Sequence, residues 1–305
     1  MANRVVMLLG GKKGYQALVS LSSTHKKLVK TVIVGSDPNV EDDLSSDIIK
    51  YCLKNKIVVV GRHETNSYLD GFIGYKIAIG WRWMLRESSR LIVIHDSLLP
   101  RYRGFAPLVN CLINGEELIG ATAFFGTSEY DAGPVISQRS INIRYPIKIS
   151  EAINRMCDLY SHLLQEILDK ISNDESISSV KQNESLASYS LWRDESDYFI
   201  DWNRSAIEIA RFIDAVGPPY KGAKCYANSE LTIINSAVPL RDKLICDRDN
   251  AIGKVIYFDK EYPVVVCSEG LLKITDIISA NFMQFLPVKQ FKIRFSSDYA
   301  HKGSI

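Results

Sequence analysis

Residues 91 to 107 read Leu-Ile-Val-Ile-His-Asp-Ser-Leu-Leu-Pro-Arg-Tyr-Arg-Gly-Phe-Ala-Pro and contain the most informative pattern of this 305-residue chain. The first four residues are apolar and rich in β-branched side chains, which is typical of a strand buried on both faces of a parallel sheet. Ligands of such α/β sheets bind beyond the carboxyl ends of the strands. Because His95 follows the apolar run directly, the sequence predicts an imidazole at the ligand-binding edge of the sheet.

A second buried strand is predicted at Ala121–Phe125. It is followed at residues 130–134 by Tyr-Asp-Ala-Gly-Pro, which is typical of a sharp turn. We expect this turn to supply His95 with a carboxylate partner, Asp131.

Short apolar runs alternate with amphipathic ones over the first 140 residues, and a longer helical pattern follows them. This alternation predicts an α/β fold with a Rossmann-like, mostly parallel sheet. The predicted strands are Arg4–Leu9, Thr31–Gly35, Ile57–Gly61, Ile77–Gly80, Leu91–Ile94 and Ala121–Phe125, and the predicted helices are Lys13–Ser22, Asp43–Asn55 and Ile149–Ile171.

The polar composition of residues 172–188 predicts a linker at the end of a first domain, residues 1–185. In the following segment, residues 189–305, a helical pattern near Ala206–Ile213 precedes several short strand patterns. We expect a second, smaller β-rich domain there. Its apolar strands, such as Pro263–Cys267, are candidates for pairing across a homodimer.

The composition, with 46% hydrophobic and 24% charged residues, is that of an ordinary globular protein. The formal net charge is +2, and basic and acidic residues are interspersed. Because there is no basic block, a nucleic-acid partner is disfavoured. The six cysteines include no Cys-x-x-Cys pair, so neither a metal site nor a disulfide framework is predicted.

The apolar part of the N-terminus, Val5–Leu9, is too short for a signal peptide. No apolar stretch approaches the ~20 residues that a membrane-spanning helix needs. We therefore expect a cytoplasmic protein without a membrane partner.

The His-x-Ser-Leu-Leu-Pro run from His95, the Arg-Gly pair at 103–104 and the Asp-x-Gly-Pro turn at 131–134 resemble the formyltransferases that use 10-formyltetrahydrofolate. The resemblance covers most of the first 185 residues and continues more loosely behind them. The neighbourhood of Trp81–Trp83 and the run Ser190–Asp194 are similar to the branch that formylates nucleotide-linked amino sugars, in particular the pseudaminic-acid-pathway enzymes. Methionyl-tRNA formyltransferase is a more distant likeness. The resemblance implies a catalytic first domain and a small OB-like second domain.

In that family an Asn, a His and an Asp surround the reacting carbon, and the resemblance assigns two of these roles to His95 and Asp131. The position of the Asn, two residues before the His, is Val93, which cannot donate or accept a hydrogen bond. A missing oxyanion donor typically costs ~2.7–4 kcal/mol of transition-state stabilisation. Ser97, Asn110 and backbone amides of the His-Asp-Ser turn are candidates for that role. Otherwise the enzyme is slow, or the chain is a non-catalytic relative.

The resemblance also implies a slot for the folate at the end of the fourth strand and in the loop after His95. Backbone groups there would meet the pterin edge and apolar side chains would cover its face. Core packing is the alternative interpretation for the two tryptophans. The candidate residues are Ile79, Gly80, Trp81, Trp83, Leu98, Leu99 and Pro100.

The nucleotide sugar would be met by cations and by a helix N-terminus. Arg101 and Arg103 suit a diphosphate, and Tyr102 could stack on a sugar or base. The alternative is that the arginines hold their own loop. Gly11 and Lys12 follow the first strand in a run that predicts a tight turn, whose amides could meet a phosphate.

The sequence therefore favours N-formylation of a nucleotide-linked amino sugar with 10-formyltetrahydrofolate as co-substrate and no metal. A UDP-linked 4-amino-4,6-dideoxy sugar of a pseudaminic-acid-type pathway, made for a surface glycan, is the favoured acceptor, and dTDP- or GDP-linked sugars are alternatives. Methionyl-tRNA formylation and a non-catalytic folate- or nucleotide-binding protein are the competing functions.

Overall fold

A computed structural model describes residues 4–38, 40, 42–281, 283, 285–286 and 291–298. The chain divides into two compact units. The first comprises Met1–Cys111, Glu117–Ile143 and Glu151–Trp192, and the second comprises Leu112–Glu116, Arg144–Ser150 and Arg193–Ile305. The chain thus leaves the first unit after Trp192, a few residues later than predicted, and it also visits the second unit twice before that point.

The first unit is built on a seven-stranded sheet with helices between its strands. Along the chain its elements, together with two helices that run across the unit boundary, are β1 (Val5–Leu9), α1 (Gly11–Val19), α2 (Ser23–Leu28), β2 (Val29–Val34), α3 (Ser45–Lys54), β3 (Val59–Gly61), α4 (Thr65–Leu69), β4 (Tyr75–Ile79), β5 (Leu91–His95), β6 (Arg103–Gly104), α5 (Pro107–Ile113), β7 (Leu118–Phe125), β8 (Val135–Asn142), α6 (Ile149–Ser172) and β9 (Tyr189–Ser190).

The strand order β3-β2-β1-β4-β5-β7-β8 explains why β1 is apolar throughout. All five residues of β1 are completely buried, because β1 is paired on both edges and covered on both faces. The first five strands of this order are parallel to one another. The predicted α/β fold with a mostly parallel sheet is confirmed.

Strand β7 is antiparallel to both β5 and β8, and β8 was not predicted. Its sequence, Val-Ile-Ser-Gln-Arg-Ser-Ile-Asn, has no apolar run, since it is an edge strand with mostly half-exposed or exposed side chains. It is a strand because it pairs with β7, and this pairing leaves no hydrophobic pattern in the sequence of β8.

The predicted linker at residues 172–188 is instead in part a packed segment of the first unit. Val180 forms two backbone hydrogen bonds with Val135, and β9 pairs with β6. Gln182 is buried, with 6% of the residue exposed. Residues 180–190 are called the strap below. Their polar composition suggested a linker, but several of their polar groups, such as the Gln182 amide, form hydrogen bonds to the rest of the unit.

The second unit is β-rich, as predicted, and its six strands form an antiparallel sheet of order β12-β13-β14-β11-β10-β15. Its elements from residue 193 on are α7 (Ala206–Val216), β10 (Ala223–Ala227), β11 (Glu230–Leu240), α8 (Arg248–Ala251), β12 (Val255–Asp259), β13 (Tyr262–Val266), β14 (Leu271–Ser279) and β15 (Phe295–Ser296). A capping box of Ser205 and Glu208 starts α7.

The suggestion that Pro263–Cys267 pairs across a homodimer does not fit the structure. Strand β13, which contains most of this segment, is hydrogen-bonded to β12 on one edge and to β14 on the other. An interior strand has no free edge for a partner chain.

No helix in the described part of the chain combines the length and the apolar character that crossing a bilayer requires.

Candidate active site

His95 ends strand β5, and only 9% of the residue is exposed. Its Nε2 lies 2.9 Å from the backbone carbonyl oxygen of Tyr102. Because a carbonyl oxygen can only accept, Nε2 carries the proton of the neutral ring and Nδ1 keeps the lone pair. Nδ1 faces Oδ2 of Asp131 at 3.6 Å. The ring therefore presents a proton-accepting nitrogen beside a carboxylate.

Asp131 reaches His95 from a loop that folds back along the sheet. The last residue of β7, Phe125, pairs with Ile92, so the following loop starts beside the beginning of β5, at the end opposite to His95. Asp131 adopts a φ of +50°, in the left-handed region. Its Oδ2 accepts the backbone N–H of Gly104 at 2.7 Å. The carboxylate is thus attached to the loop that also carries the Tyr102 carbonyl.

Val93 is half-buried and packs against the apolar cluster that contains Ala78 and Leu91. It is paired with Phe124 of β7, whose ring meets the His95 ring edge-on with centroids 6.5 Å apart. Val93 stands where the resemblance places the Asn of the family. Its side chain is part of an apolar surface and offers no hydrogen-bond donor.

The two side chains predicted as substitutes for the Asn both donate to nearby carbonyl groups. Ser97 Oγ lies 2.7 Å from the carbonyl oxygen of Arg101, and Asn110 Nδ2 lies 2.9 Å from that of Ala106. Ser97 closes the loop behind His95, and Asn110 bonds the preceding turn of its helix. The oxyanion role of either residue stays a prediction.

A charged cluster that the sequence analysis missed lies next to His95. The Asp96 carboxylate pairs with the Lys13 ammonium and accepts the Tyr160 hydroxyl at 2.6 Å. Burial raises the pKa of Asp96, but the Lys13 charge, its hydrogen bond and that of Tyr160 outweigh burial and leave the pKa below its ordinary value. Burial and the Asp96 charge raise the pKa of Tyr160 well above its ordinary value. Asp96 stood inside the motif, but its partners lie far away in sequence.

Trp81 and Trp83, predicted to line the folate slot, contact each other with ring centroids 4.8 Å apart. Both lie against Gly35, where a Cβ atom would come within 2.1 Å of the Trp83 ring. The buried Trp81 Nε1 has no hydrogen-bond partner within the described part of the chain. The two rings thus cover the carboxyl end of β2, with one buried donor that a ligand could use.

The other predicted folate residues lie at two places on the same unit. Ile79 is buried at the end of β4, and Gly80 crosses so close to Gly10 that a Cβ atom would lie 2.2 Å from the Gly10 oxygen. Leu98 lies against Gly120 of β7, where a Cβ atom would come within 2.5 Å of it.

Leu99 and Pro100 continue this loop behind His95. Leu99 is buried, and its backbone N–H donates to Thr122 Oγ1 at 3.0 Å. The Pro100 carbonyl accepts from the N–H of Ser188 in the strap. The loop is thus held from both sides.

The three residues predicted to bind the nucleotide sugar differ in their surroundings. Arg101 is exposed and its guanidinium lies over the half-buried Tyr102 ring, 5.4 Å from its centroid. Arg103 is 1% exposed, and all five of its N–H groups are bonded to Gln182, Glu184 or Tyr189. The prediction of a diphosphate contact does not fit Arg103, because none of its donors is left for a ligand.

Gly11 and Lys12 open helix α1, as the predicted turn requires. Gly11 has a φ of +63°, which favours glycine, and Lys12 is exposed. Their backbone amides belong to the first turn of the helix, where an anion can be bound. No group of three or more metal-ligating side chains occurs in the described ranges.

Two protein families match parts of the chain. A family described as formyl transferase matches residues 74–168, which include His95 and Asp131. A second, the formyl transferase C-terminal domain, matches residues 194–286. Together they cover more than half of the chain. The chain belongs to the formyl transferase family. The predicted resemblance is confirmed, and this family member has both domains in the expected order.

Curated relatives of this chain include two kinds of protein. Methionyl-tRNA formyltransferase of Syntrophomonas wolfei is 31% identical over 201 residues, which are 66% of this chain and 62% of the relative. The bifunctional polymyxin resistance protein ArnA of Wigglesworthia glossinidia brevipalpis is 27% identical over 293 residues, 92% of this chain and 43% of ArnA. The chain thus spans less than two thirds of the length of these relatives.

Among solved structures, the sugar 3N-formyl transferase WlaRD, studied with dTDP and 5-N-formyl-THF, is similar with a TM-score of 0.66 and 16% identity over 92% of this chain and 99% of WlaRD. The N-formyltransferase of Helicobacter canadensis, in complex with folinic acid and dTDP-3-aminofucose, has a TM-score of 0.63 and 16% identity over 90% and 98% of the chains. At such low identity the likeness establishes the fold.

Proposed function

We propose that this chain transfers the formyl group of 10-formyltetrahydrofolate to the amine of a nucleotide-linked amino sugar. The observation that carries the proposal is the geometry of His95, with Nε2 on the Tyr102 carbonyl and Nδ1 facing Asp131 at 3.6 Å. Formyl transfer to an amine requires a positioned proton acceptor, and the family to which the chain belongs supplies the formyl chemistry.

In the proposed reaction the amine nitrogen attacks the formyl carbon, and the carbonyl oxygen takes up negative charge. Nδ1 of His95 accepts the proton that the nitrogen loses, and Asp131 stabilises the imidazolium. The imidazolium then returns the proton to the folate nitrogen N10 as its bond to the formyl carbon breaks. The products are the N-formyl sugar and tetrahydrofolate, and His95 is neutral again. Such a general base contributes roughly 10²–10⁴-fold in rate.

The developing oxyanion has no side-chain donor at Val93. Ser97 and Asn110 already donate to carbonyl groups, so a backbone N–H of the His-Asp-Ser turn is the better candidate for this role. A lost donor lowers the rate roughly 10²–10³-fold where nothing replaces it. The kcat of formyl transfer by this chain therefore measures how completely a backbone N–H replaces the missing Asn side chain as the donor to the oxyanion.

The acceptor class is supported by the fold neighbours, two of which are described as a sugar formyl transferase and as a complex with dTDP-3-aminofucose. ArnA aligns along 92% of this chain, through both domains. Within the class we propose a UDP-linked 4-amino-4,6-dideoxy sugar of a pseudaminic-acid-type pathway in the cytoplasm, and dTDP- or GDP-linked sugars are the alternatives. Gly11, Lys12, Arg101 and Tyr102 are the proposed contacts of this substrate.

The experiment is incubation of the protein with 10-formyltetrahydrofolate and UDP-, dTDP- or GDP-linked amino sugars, followed by mass spectrometry. We expect one product heavier by a formyl group, and none with the His95→Asn variant. Absence of product with all acceptors, while the folate still binds, would favour a non-catalytic binding protein.

Methionyl-tRNA formylation is a second candidate, because relatives with about 30% identity are described as methionyl-tRNA formyltransferases. A tRNA substrate binds through its phosphates, so its affinity falls steeply with salt concentration. Tight, salt-dependent binding of charged initiator tRNA, with formylation of its methionine, would replace the sugar proposal.

A further inference from the structure

Two backbone loops flank the His95 ring, one on each nitrogen. The loop at residues 101–104 supplies the Tyr102 carbonyl that accepts from Nε2, and the turn at 130–134 supplies the Asp131 carboxylate that faces Nδ1. Tyr102 and Asp131 both have φ in the left-handed region, at +57° and +50°. Residues other than glycine rarely adopt this backbone conformation unless the surrounding structure holds them in it.

Gln182 of the strap bonds to both loops with one buried amide group. Its Nε2 donates to the carbonyl oxygens of Asp131 and Gly133, each at 2.7 Å. Its Oε1 accepts from Arg103 Nε at 3.1 Å and from Nη2 at 2.8 Å. All these bonds go to residues of the two loops, so the amide group sets the spacing between them.

Arg103 completes the connection on the other loop. Its guanidinium pairs with Glu184 through two contacts of 2.8 Å and is fully used within the protein. Its backbone N–H donates to the carbonyl of Ser188 in the strap. The next residue, Gly104, donates its N–H to the Asp131 carboxylate at 2.7 Å. The strap therefore fixes both the backbone beside His95 and the group that binds Asp131.

We propose that Gln182 and Arg103 are positioning residues: through the strap they set the distance between the Tyr102 carbonyl and the Asp131 carboxylate, and thereby the orientation of His95. The inference rests on the proposed function, because the proposed function assigns His95 its role in formyl transfer. Neither residue needs to touch a substrate. Misplacement of a reacting group by about 1 Å can cost on the order of 100-fold in rate, so the spacing of the loops bears directly on catalysis.

The test is the isosteric Gln182→Glu variant, which keeps the acceptor for Arg103 but replaces the two bonds to the Asp131 turn by repulsion between oxygen atoms. The control is Ser185→Ala, which removes an exposed strap hydroxyl bonded to Asn183. We measure kcat and KM for formyl transfer. We also measure the exchange of the Gly104 amide hydrogen with solvent, and the amides of β1 serve as the internal reference.

We expect kcat of Q182E to fall about 10- to 100-fold with little change in KM, and Gly104 alone to lose exchange protection. Unchanged kcat and unchanged Gly104 protection overturn the proposal, as does a loss of protection that is equal in β1 and Gly104, because that indicates a merely structural role. If Q182E does not fold, Gln182→Asn, which shortens the same amide by one methylene, is subjected to the same criteria.

Failure of the proposed function has a different signature. If the unaltered protein forms no product with any acceptor while Gly104 still loses protection in Q182E, the positioning network exists but serves another activity. If product forms and Q182E behaves as the unaltered protein in both measurements, the function stands and the positioning role is wrong.

Discussion

The chemistry of single residues in this chain depends on the partners that each polar group finds. His95 is oriented by one carbonyl and one carboxylate, whereas Arg103 has all its donors satisfied by the strap. Both residues belong to one short sequence motif, yet the proposed mechanism uses His95, whereas Arg103 holds the loop. The number of unsatisfied hydrogen-bonding groups, rather than residue type, distinguishes the two roles.

The Asp131→Asn variant tests the electrostatic part of the proposed mechanism. Asn retains an oxygen that accepts from the Gly104 N–H but carries no charge to stabilise an imidazolium. We expect kcat to fall by about 100-fold or more, with a melting temperature close to that of the unaltered protein. A rate within a few-fold of the original in steady-state kinetics would remove Asp131 from the mechanism.

The Asp96→Asn variant tests the buried pair with Lys13, whose side chains are 16% and 14% exposed. Breaking a buried ion pair costs about 3 kcal/mol or more, and we expect a loss of this order in the free energy of unfolding at pH 7. The pKa of Asp96 is lowered in the folded state. The contribution of its charge to the free energy of unfolding is therefore present above the unfolded pKa of about 3.9 and is lost as the pH falls further.

Denaturant unfolding of the Asp96→Asn and unaltered proteins between pH 7 and pH 3 measures this dependence. The difference between them should shrink below pH 4. A difference that is constant with pH would mean that charge is not involved. Tyr160→Phe removes only the hydroxyl that binds Asp96 and should cost about 1 kcal/mol.

At the scale of elements, the site depends on how closely strands and turns approach each other. Strands β1 and β4 end side by side, and the backbone of Gly80 passes Gly10 without room for a side chain. The following residues, Trp81 and Trp83, are thereby directed across the end of β2. Small residues at this crossing permit the approach, and the aromatic side chains then cover the sheet edge.

The Gly80→Ala variant isolates this close approach when it is compared with Gly71→Ala. Both glycines have positive φ, +63° and +70°, but a Cβ atom would meet nothing within 4 Å at Gly71. Gly71→Ala should cost about 1–2 kcal/mol in unfolding free energy from the backbone alone. Gly80→Ala should cost about 1–3 kcal/mol more, because the methyl group is forced against the Gly10 carbonyl. Equal losses in denaturant unfolding would contradict the close approach.

At the scale of the whole molecule, the chain crosses between its two units more often than a simple two-domain sequence suggests. Residues 144–150 belong to the second unit although both flanking segments belong to the first. Within the second unit, Lys148 pairs with the buried Asp214 at 2.7 Å. Burial raises the pKa of Asp214, and the hydrogen bond and charge of Lys148 partly offset that rise.

The Lys148→Met variant should destabilise the second unit, with Lys148→Arg as the charge-preserving control. Without the ammonium, Asp214 must be buried as a charge or take up a proton, at a cost of about 1–3 kcal/mol. Because the folded pKa of Asp214 is raised, this cost grows as the pH rises above about 4 and is small below that value. Thermal unfolding at pH 4 and pH 7 measures it, and an equal loss at both values would refute the assignment.

Local patterns determined much of the fold. Apolar runs predicted interior strands, such as Arg4–Leu9, which the structure has as Val5–Leu9, because a strand covered on both faces is largely apolar. Strand β8 was not predicted, because it is an edge strand defined by its pairing, and the strap was predicted as a linker because it is polar. Of the site, the motif placed His95 and Asp131 together, and their catalytic roles stay predictions. Lys13 and Gln182 could not be found, because their partners lie 83 and 51 residues away.

The fold class, the family and the edge of the sheet at which His95 lies could be predicted from the amino-acid sequence, because they follow from local periodicity and from one contiguous motif. Two features follow only from the three-dimensional arrangement: Arg103 holds the strap instead of facing a ligand, and the charge of Asp96 is balanced by Lys13. The reason is physical: buried polar groups must find hydrogen-bond partners, and which partners are within reach depends on how distant segments are brought together.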